Sequence, residues 1–253
     1  MRGNFAFVLC RPQSAGNIGA AARVLKNLGF ADLRLVAPSL KRRGEAAAMA
    51  VHAQDILASA TTWPNLNSAV ADCSLTVGTT CRAGAYRASA EELRAFAPEL
   101  ASLATAGRVA IIFGCEDHGL SNEELKLCQR LITIPTAAEY RSLNLAQAVA
   151  IVAYELAMTL DKGAQPRAVS ERAPAGAVDA MLERMSDALV AIGFLPENNP
   201  DHIMFTLRAI FGRSGLSPRE LDVLNGIVRQ MRWAADGGHE TISAKRASGR
   251  KLR

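Results

Sequence analysis

The chain has 253 residues, 49% of them hydrophobic and 5% aromatic, with a formal charge of +5. That is enough apolar material for a substantial core in one or two domains. No window approaches the ~18–20 uncharged apolar residues of a membrane helix. The opening MRGNFAFVLCRP clusters only ~5–6 apolar residues, too few for a signal-peptide core, so a soluble cytoplasmic protein with no membrane partner is expected.

The charge is unevenly spread. Lys245, Arg246, Arg250, Lys251 and Arg253 stand against Glu240 alone at the C-terminal end, which leaves the body of the chain nearly neutral. Such a tail either solubilises or holds a polyanion loosely. A local bias points more sharply to an anionic partner: Arg11, Arg23, Lys26, Arg34, Lys41, Arg42 and Arg43 face only Asp32. Cys10, Cys73, Cys81, Cys115 and Cys128 form no CxxC pair, and their mostly apolar neighbours fit reduced, buried thiols. His52, His118, His202 and His239 are scattered, and no metal site is expected.

In chain order, FAFVLC at 5–10 reads as a buried strand. RPQSAGNIGAAARVLKNLGF follows, with Asn17 as the expected N-cap of a helix and Gly29 as its stop. Ile18, Ala22 and Leu25 share the apolar face of that helix, and Arg23 projects from the polar side. Taken alone, Arg23 is an ordinary solvated arginine. LRLVA at 33–37 is a second strand, 44–58 an Ala-rich helix, 65–71 a short helix and SLTVG at 74–78 a third strand. Its exit, TTCRAGAYR, is small and polar and reads as a surface loop able to close over a ligand.

A helix at 90–103 leads to a fourth strand, RVAIIF at 108–113, and then to GCEDHGLSNEEL. Ser121 and Glu124 form a capping box that starts a helix running to about Arg130. LITI at 131–134 is a fifth strand, and the loop TAAEYR delivers the chain to SLNLAQAVAIVAYELAMTLD at 142–161, an apolar helix behind a polar entry. The alternation predicts an α/β fold with a mostly parallel sheet covered on both faces. Residues 163–176 read as a linker. Helices near 177–192, 199–212 and 217–234 follow, the last opened by Ser217, Pro218 and Glu220. Arg208, Arg213, Arg219, Arg229 and Arg232 give this part a basic cast.

There is no GxGxxG after the first strand, no GxxxxGK[ST] and no GxSxG, which disfavours dinucleotide, triphosphatase and serine-hydrolase chemistry. Three other stretches do form a set: NIGAAAR at 17–23, IIFGCEDHGLSNEEL at 111–125 and SLNLAQAV at 142–149. In this order and at these intervals they resemble the motifs of the SPOUT class of RNA 2′-O-ribose methyltransferases, in its TrmH-like group, over residues 4–161. FGRSGLSPRELDVLNGIVRQMRW at 211–233 is similar to the C-terminal domain of the TrmJ branch, which methylates nucleotide 32 of the tRNA anticodon loop on cytidine or uridine.

The resemblance implies a sheet whose C-terminal part is threaded into a deep trefoil knot, and a homodimer joined through the knot helices. Methyltransferase, linker, helical domain and basic tail would then occupy 1–162, 163–176, 177–236 and 237–253. It implies S-adenosylmethionine held by Thr79, Thr80, Cys81, Gly114, Ile134, Ser142, Leu143 and Asn144, with Gly114 leaving room for the cofactor to pass. It gives the central role to Arg23, as base or as phosphate anchor, with Asn17, Glu116, Ser142 and Asn144 in the same site. Glu116 is expected to hold the Arg23 guanidinium through a charge-assisted bond. Arg23, Arg82, Arg87 and Arg141 are the expected RNA contacts, and Tyr86 or Tyr140 would stack on a base or simply pack. Arg141 departs from the pattern, since a small residue is expected before Ser-Leu-Asn. The implied partner is tRNA. The same chemistry on ribosomal RNA, and a catalytically idle RNA-binding protein, remain alternatives.

Overall fold

A computed structural model of the chain describes residues 1–39, 44–81, 90–163, 172–196 and 198–238. Lys41, Arg42, Arg43, Arg82, Tyr86, Arg87 and the tail from His239 on lie outside these residues. The described part contains a seven-stranded sheet formed by β1 (Phe5–Cys10), β2 (Asp32–Val36), β3 (Thr61–Trp63), β4 (Leu75–Thr79), β5 (Glu91–Glu92), β6 (Val109–Phe113) and β7 (Arg130–Thr133). Its order is β3-β2-β1-β6-β4-β7-β5, and every pairing is parallel. The expected mostly parallel α/β sheet is therefore present. The five expected strands are all in it, and β3 and β5 were not foreseen. Each is three residues or shorter, too brief for a period-two pattern to register.

The helices of the sheet region are α1 (Ala15–Asn27), α2 (Gly44–Met49), α3 (Gln54–Ser59), α4 (Leu66–Val70), α5 (Leu93–Leu103), α6 (Asn122–Lys126) and α7 (Leu145–Asp161). Side chains of β1 alternate between two cores. Phe5, Phe7 and Leu9 join α1, α3, α5 and α7 on one face, while Val8 and Cys10 join α4 and α6 on the other. Both faces are buried, so the central strands read as continuous apolar runs.

Two helices end differently from their sequence reading. The run at 44–58 is split into α2 and α3 by a turn in which His52 takes φ +60°. There α2 lies hard against α1: a Cβ on Gly19 would come within 2.1 Å of the Ala46 carbonyl oxygen. The helix begun by Ser121 stops at Lys126, well short of Arg130. The Gln129 N–H donates to the Thr76 carbonyl at 3.0 Å and to its Oγ1 at 3.1 Å, which draws the chain into the sheet.

Beyond the sheet, α8 (Ala175–Ala191), α9 (Asp201–Ser214) and α10 (Pro218–Trp233) pack around their own core of Met181, Leu182, Met185, Leu189 and Val228. This core is docked on the α4–α6 side. The Ala175 N–H donates to the Cys73 carbonyl at 2.7 Å, Lys126 pairs with Asp201 at 2.7 Å, and Phe205 packs into the sheet's second core. Among the described residues no helix is long and apolar enough to cross a membrane.

Candidate active site

The first two sequence motifs meet at the carboxyl end of β1 and β6. Ser14, not Asn17, caps α1: its Oγ accepts the Asn17 N–H at 3.3 Å. Asn17 is thus the third residue inside the helix, and its side chain is free of capping. The helix closes as expected at Gly29, φ +77°, with Phe30 N–H to Leu25 carbonyl at 2.9 Å and Gly29 N–H to Lys26 carbonyl at 3.2 Å.

Asn17 Nδ2 donates to Glu116 Oε1 at 2.8 Å. Glu116 also accepts the backbone N–H of Ser14 at 3.1 Å and that of Gln13 at 3.0 Å. Burial works to raise the Glu116 carboxyl, but the bonds from Asn17, Gln13 and Ser14 outweigh it and hold the group below the usual carboxylate range. The third motif completes the chain of bonds. Asn144 caps α7 by accepting from the N–H groups of Ala146 and Gln147, and its Nδ2 donates to Asn17 Oδ1 at 3.0 Å. Asn144, Asn17 and Glu116 therefore form one relay drawn from three distant stretches.

Beside the relay lies a cavity of about 270 Å³. Of the residues expected to hold a cofactor, Thr79, Thr80, Cys81, Gly114, Ile134, Ser142 and Leu143 all line it, together with Glu116 and Arg141. Asn144 does not line it and acts instead through the relay. Phe113, Leu120, Leu145 and Ala148 supply apolar walls. Thr79 is fixed by its Oγ1 bond to the Ile112 carbonyl at 3.0 Å, and the Thr80 N–H donates to Ile132 at 2.9 Å.

Several expectations change here. Arg23 is exposed, does not line the cavity, and has no hydrogen bond or ion pair among the described residues. Glu116 does not hold it: the carboxylate accepts instead from Asn17, Ser14 and Gln13. Six residues along a helix turn through about 600°, so Arg23 points away from Asn17. Gly114 makes room for protein, not for a passing ligand: a Cβ there would lie 1.9 Å from the Gly119 carbonyl carbon. Tyr140 is exposed, and Tyr86, Arg82 and Arg87 fall outside the described residues.

The basic bias of the first 43 residues also shrinks. Lys26 pairs with Asp55. Arg34 is buried against Asp32 and Asp72; burial alone would lower its pKa, but the two carboxylates raise it overall. Arg11, at φ +50°, makes a two-pronged bond to Glu124, with Nε–Oε1 at 2.9 Å and Nη2–Oε2 at 2.8 Å. Sequence reading missed this clamp. Glu124 was legible as a capping partner of Ser121, but nothing marked the residue after β1 as its second partner. Cys10, Cys73, Cys115 and Cys128 are buried free thiols, and Cys81 is half-buried. Among the described residues no cluster of three metal-type side chains occurs.

A parallel α/β sheet with this cavity, and three ordered motifs joined beside it, defines a class, and likeness to known proteins supplies its name. Residues 4–154 match the SpoU rRNA methylase family and residues 176–241 match the C-terminal domain of tRNA methyltransferase TrmJ. The chain belongs to the SpoU methylase family and carries the TrmJ-type C-terminal domain. It is 36% identical to a tRNA (cytidine/uridine-2′-O-)-methyltransferase TrmJ of Klebsiella pneumoniae, over 89% of this chain and 95% of that one. It is also 36% identical to a tRNA (cytidine/uridine/adenosine-2′-O-)-methyltransferase TrmJ of Pseudomonas aeruginosa, over 91% and 94%. The crystal structure of TrmJ from Z. mobilis superposes with a TM-score of 0.77 at 32% identity, covering 89% of this chain and 98% of that one.

Proposed function

We propose that this chain transfers a methyl group from S-adenosylmethionine to a ribose 2′-OH of tRNA, at nucleotide 32 of the anticodon loop, on cytidine or uridine. The observation that carries the reading is the Asn144–Asn17–Glu116 relay, which joins three motifs of a methylase family and reaches the cavity through Glu116. The residues present fit the cofactor: apolar walls for an adenine, and carboxylates and a guanidinium for its charged methionine end. Thr79, Thr80, Cys81, Gly114, Ile134, Ser142 and Leu143 would hold it, with Asn144 positioning the loop. When bound, S-adenosylmethionine supplies a methyl group on a positively charged sulfur.

The chain's own part is to place a ribose hydroxyl and to stabilise its loss of a proton. Glu116 is a positioning group, since its oxygens are already engaged. Arg23, a planar guanidinium without a protein partner among the described residues, is suited to anchor the RNA phosphate beside the target ribose. In this reading residues 1–162 carry the chemistry, and the linker expected at 163–176 ends sooner, since Ala173 is buried in the helical core and α8 starts at Ala175; the helices that follow add RNA-binding surface through Arg213, Arg219 and Arg229. The threading past β7 forms the deep knot, and two copies pair through α7, whose Ile151 and Tyr154 are exposed apolar side chains.

Nucleoside mapping of tRNA from cells with and without the protein tests this directly. Loss of 2′-O-methylation at position 32 is expected. Unchanged tRNA with a missing methyl in ribosomal RNA would overturn the substrate, and no change in either would overturn the activity.

A further inference from the structure

We propose that Arg141 is a cofactor-recognition residue that binds the carboxylate of S-adenosylmethionine. This goes beyond its sequence reading as an RNA contact, and it rests on the reading of the cavity as the cofactor site. The starting observation is placement. Arg141 lines the same cavity as Ile134, Ser142 and Leu143. Its guanidinium has no hydrogen bond or ion pair among the described residues, whereas Arg11, Arg34, Arg94, Arg108 and Arg130 are all paired with carboxylates. The exposed loop that carries it holds two hydrogen bonds of its own: Thr136 Oγ1 donates to the Arg141 carbonyl at 3.3 Å, and the Tyr140 N–H donates to the Ala137 carbonyl at 3.2 Å.

The second observation is a match of charges. Histidine aside, the charged side chains lining the cavity among the described residues are Glu116, Asp117 and Arg141. S-adenosylmethionine carries one carboxylate, one ammonium and one sulfonium. Glu116 is engaged by Asn17, Ser14 and Gln13, so Arg141 is the charged side chain of this wall whose guanidinium is open to the ligand's carboxylate. Arg141 is the described cationic partner for the carboxylate, and its planar fork suits a two-pronged bond. An RNA phosphate has the same appetite for arginine. The place of Arg141 on the cavity wall beside Ser142 and Leu143 favours the cofactor's carboxylate over a phosphate of the RNA.

The test compares two ligands that differ only in the carboxylate. Binding of S-adenosylmethionine and of its decarboxylated form is measured by calorimetry on the full chain, for wild type, Arg141→Gln and Arg141→Lys. Wild type is expected to prefer the carboxylate-bearing ligand about tenfold, on the order of 1.4 kcal/mol. Arg141→Gln should lose that preference while binding the decarboxylated ligand as wild type does, and Arg141→Lys should keep part of it. An unchanged preference in Arg141→Gln, whether or not tRNA binding weakens, overturns the proposal. So does an equal loss for both ligands, which would mark a merely structural role. Failure of wild type to bind S-adenosylmethionine at millimolar concentration would instead sink the cofactor reading itself.

Discussion

Asn144 Nδ2 donates to Asn17 Oδ1 at 3.0 Å, across 127 positions of sequence. The bond lets the cap of α7 set the orientation of an amide whose other end, Nδ2, holds Glu116 at 2.8 Å. A change at any of the three residues is felt at the other two.

Asn144→Ala removes both the α7 cap and the link to Asn17, and should cost about 1 kcal/mol of stability or somewhat more. Asn17→Ala leaves Glu116 short of a donor and should cost a similar amount, about 1 kcal/mol. Because the two residues share one bond, the double variant should fall short of additivity by about 0.5–1 kcal/mol. Denaturant unfolding of the four proteins measures this, and strict additivity would break the relay as a unit.

Acid should destabilise the protein through its paired carboxylates, Asp72 between Arg34 and Arg108 and, near the site, Glu116 and Glu124. For Glu116 and for Glu124, burial acts to raise the pKa. The bonds from Asn17, Gln13 and Ser14 in one case, and from Arg11 and Ser121 in the other, more than offset it, so both lie below the ordinary value. A carboxyl depressed in the folded state contributes stability that is fully present above its unfolded pKa, about 4.3. That contribution is lost as the pH falls through the lower folded value. Thermal midpoints should therefore change little between neutral pH and ~5, then drop. Glu116→Gln should be less stable than wild type at neutral pH and show a shallower acid drop.

Arg23→Ala should separate function from folding. Having no protein partner among the described residues, Arg23 can be removed within about 0.5 kcal/mol of wild-type stability. Cofactor affinity should be unchanged, while methyl transfer falls on the order of 100-fold or more. Arg23→Lys keeps the charge but not the planar fork, and should recover only part of the rate. Near-normal turnover in Arg23→Ala would remove the residue from the site.

Gly114→Ala tests how tightly the second motif is folded on itself. The new Cβ would lie 1.9 Å from the Gly119 carbonyl carbon and 2.1 Å from the Leu120 nitrogen, both of them backbone. With no flexible neighbour to yield, a loss of about 1–3 kcal/mol or more is expected, with weaker cofactor binding. A wild-type melting curve would show that the loop adapts.

Self-association through α7 predicts that Tyr154→Arg, at a side chain 54% exposed in the single chain, shifts sedimentation toward a monomer. A mass independent of this change would place the contact elsewhere.

Much of the fold was legible because the signals are local. Apolar runs marked the five longer strands, and the capping boxes at Ser121 and Ser217 marked helix starts. The resemblance of three motifs identified the family, and of the eight residues it named for the cofactor all but Asn144 line the cavity. What local signals misjudged were choices between neighbours. Ser14 and Asn17 are both good caps, and only the packing of Glu116 beside Asn17 made Ser14 the one that serves. The helix from Ser121 had sequence to continue, but pairing with Thr76 ended it.

By itself, then, the sequence determined the strand–helix alternation, the motifs and their residue types, since these depend on periodicity, capping and chemistry along the chain. Only the tertiary structure decided who pairs with whom. It took Glu116 away from Arg23 and gave it to Asn17, tied Arg11 to Glu124, filled the space at Gly114 with the Gly119 backbone and set Arg141 on the cavity wall. Those outcomes depend on distances between residues far apart in the chain. Hydrogen-bond geometry and close packing fix such distances, and no local pattern encodes them.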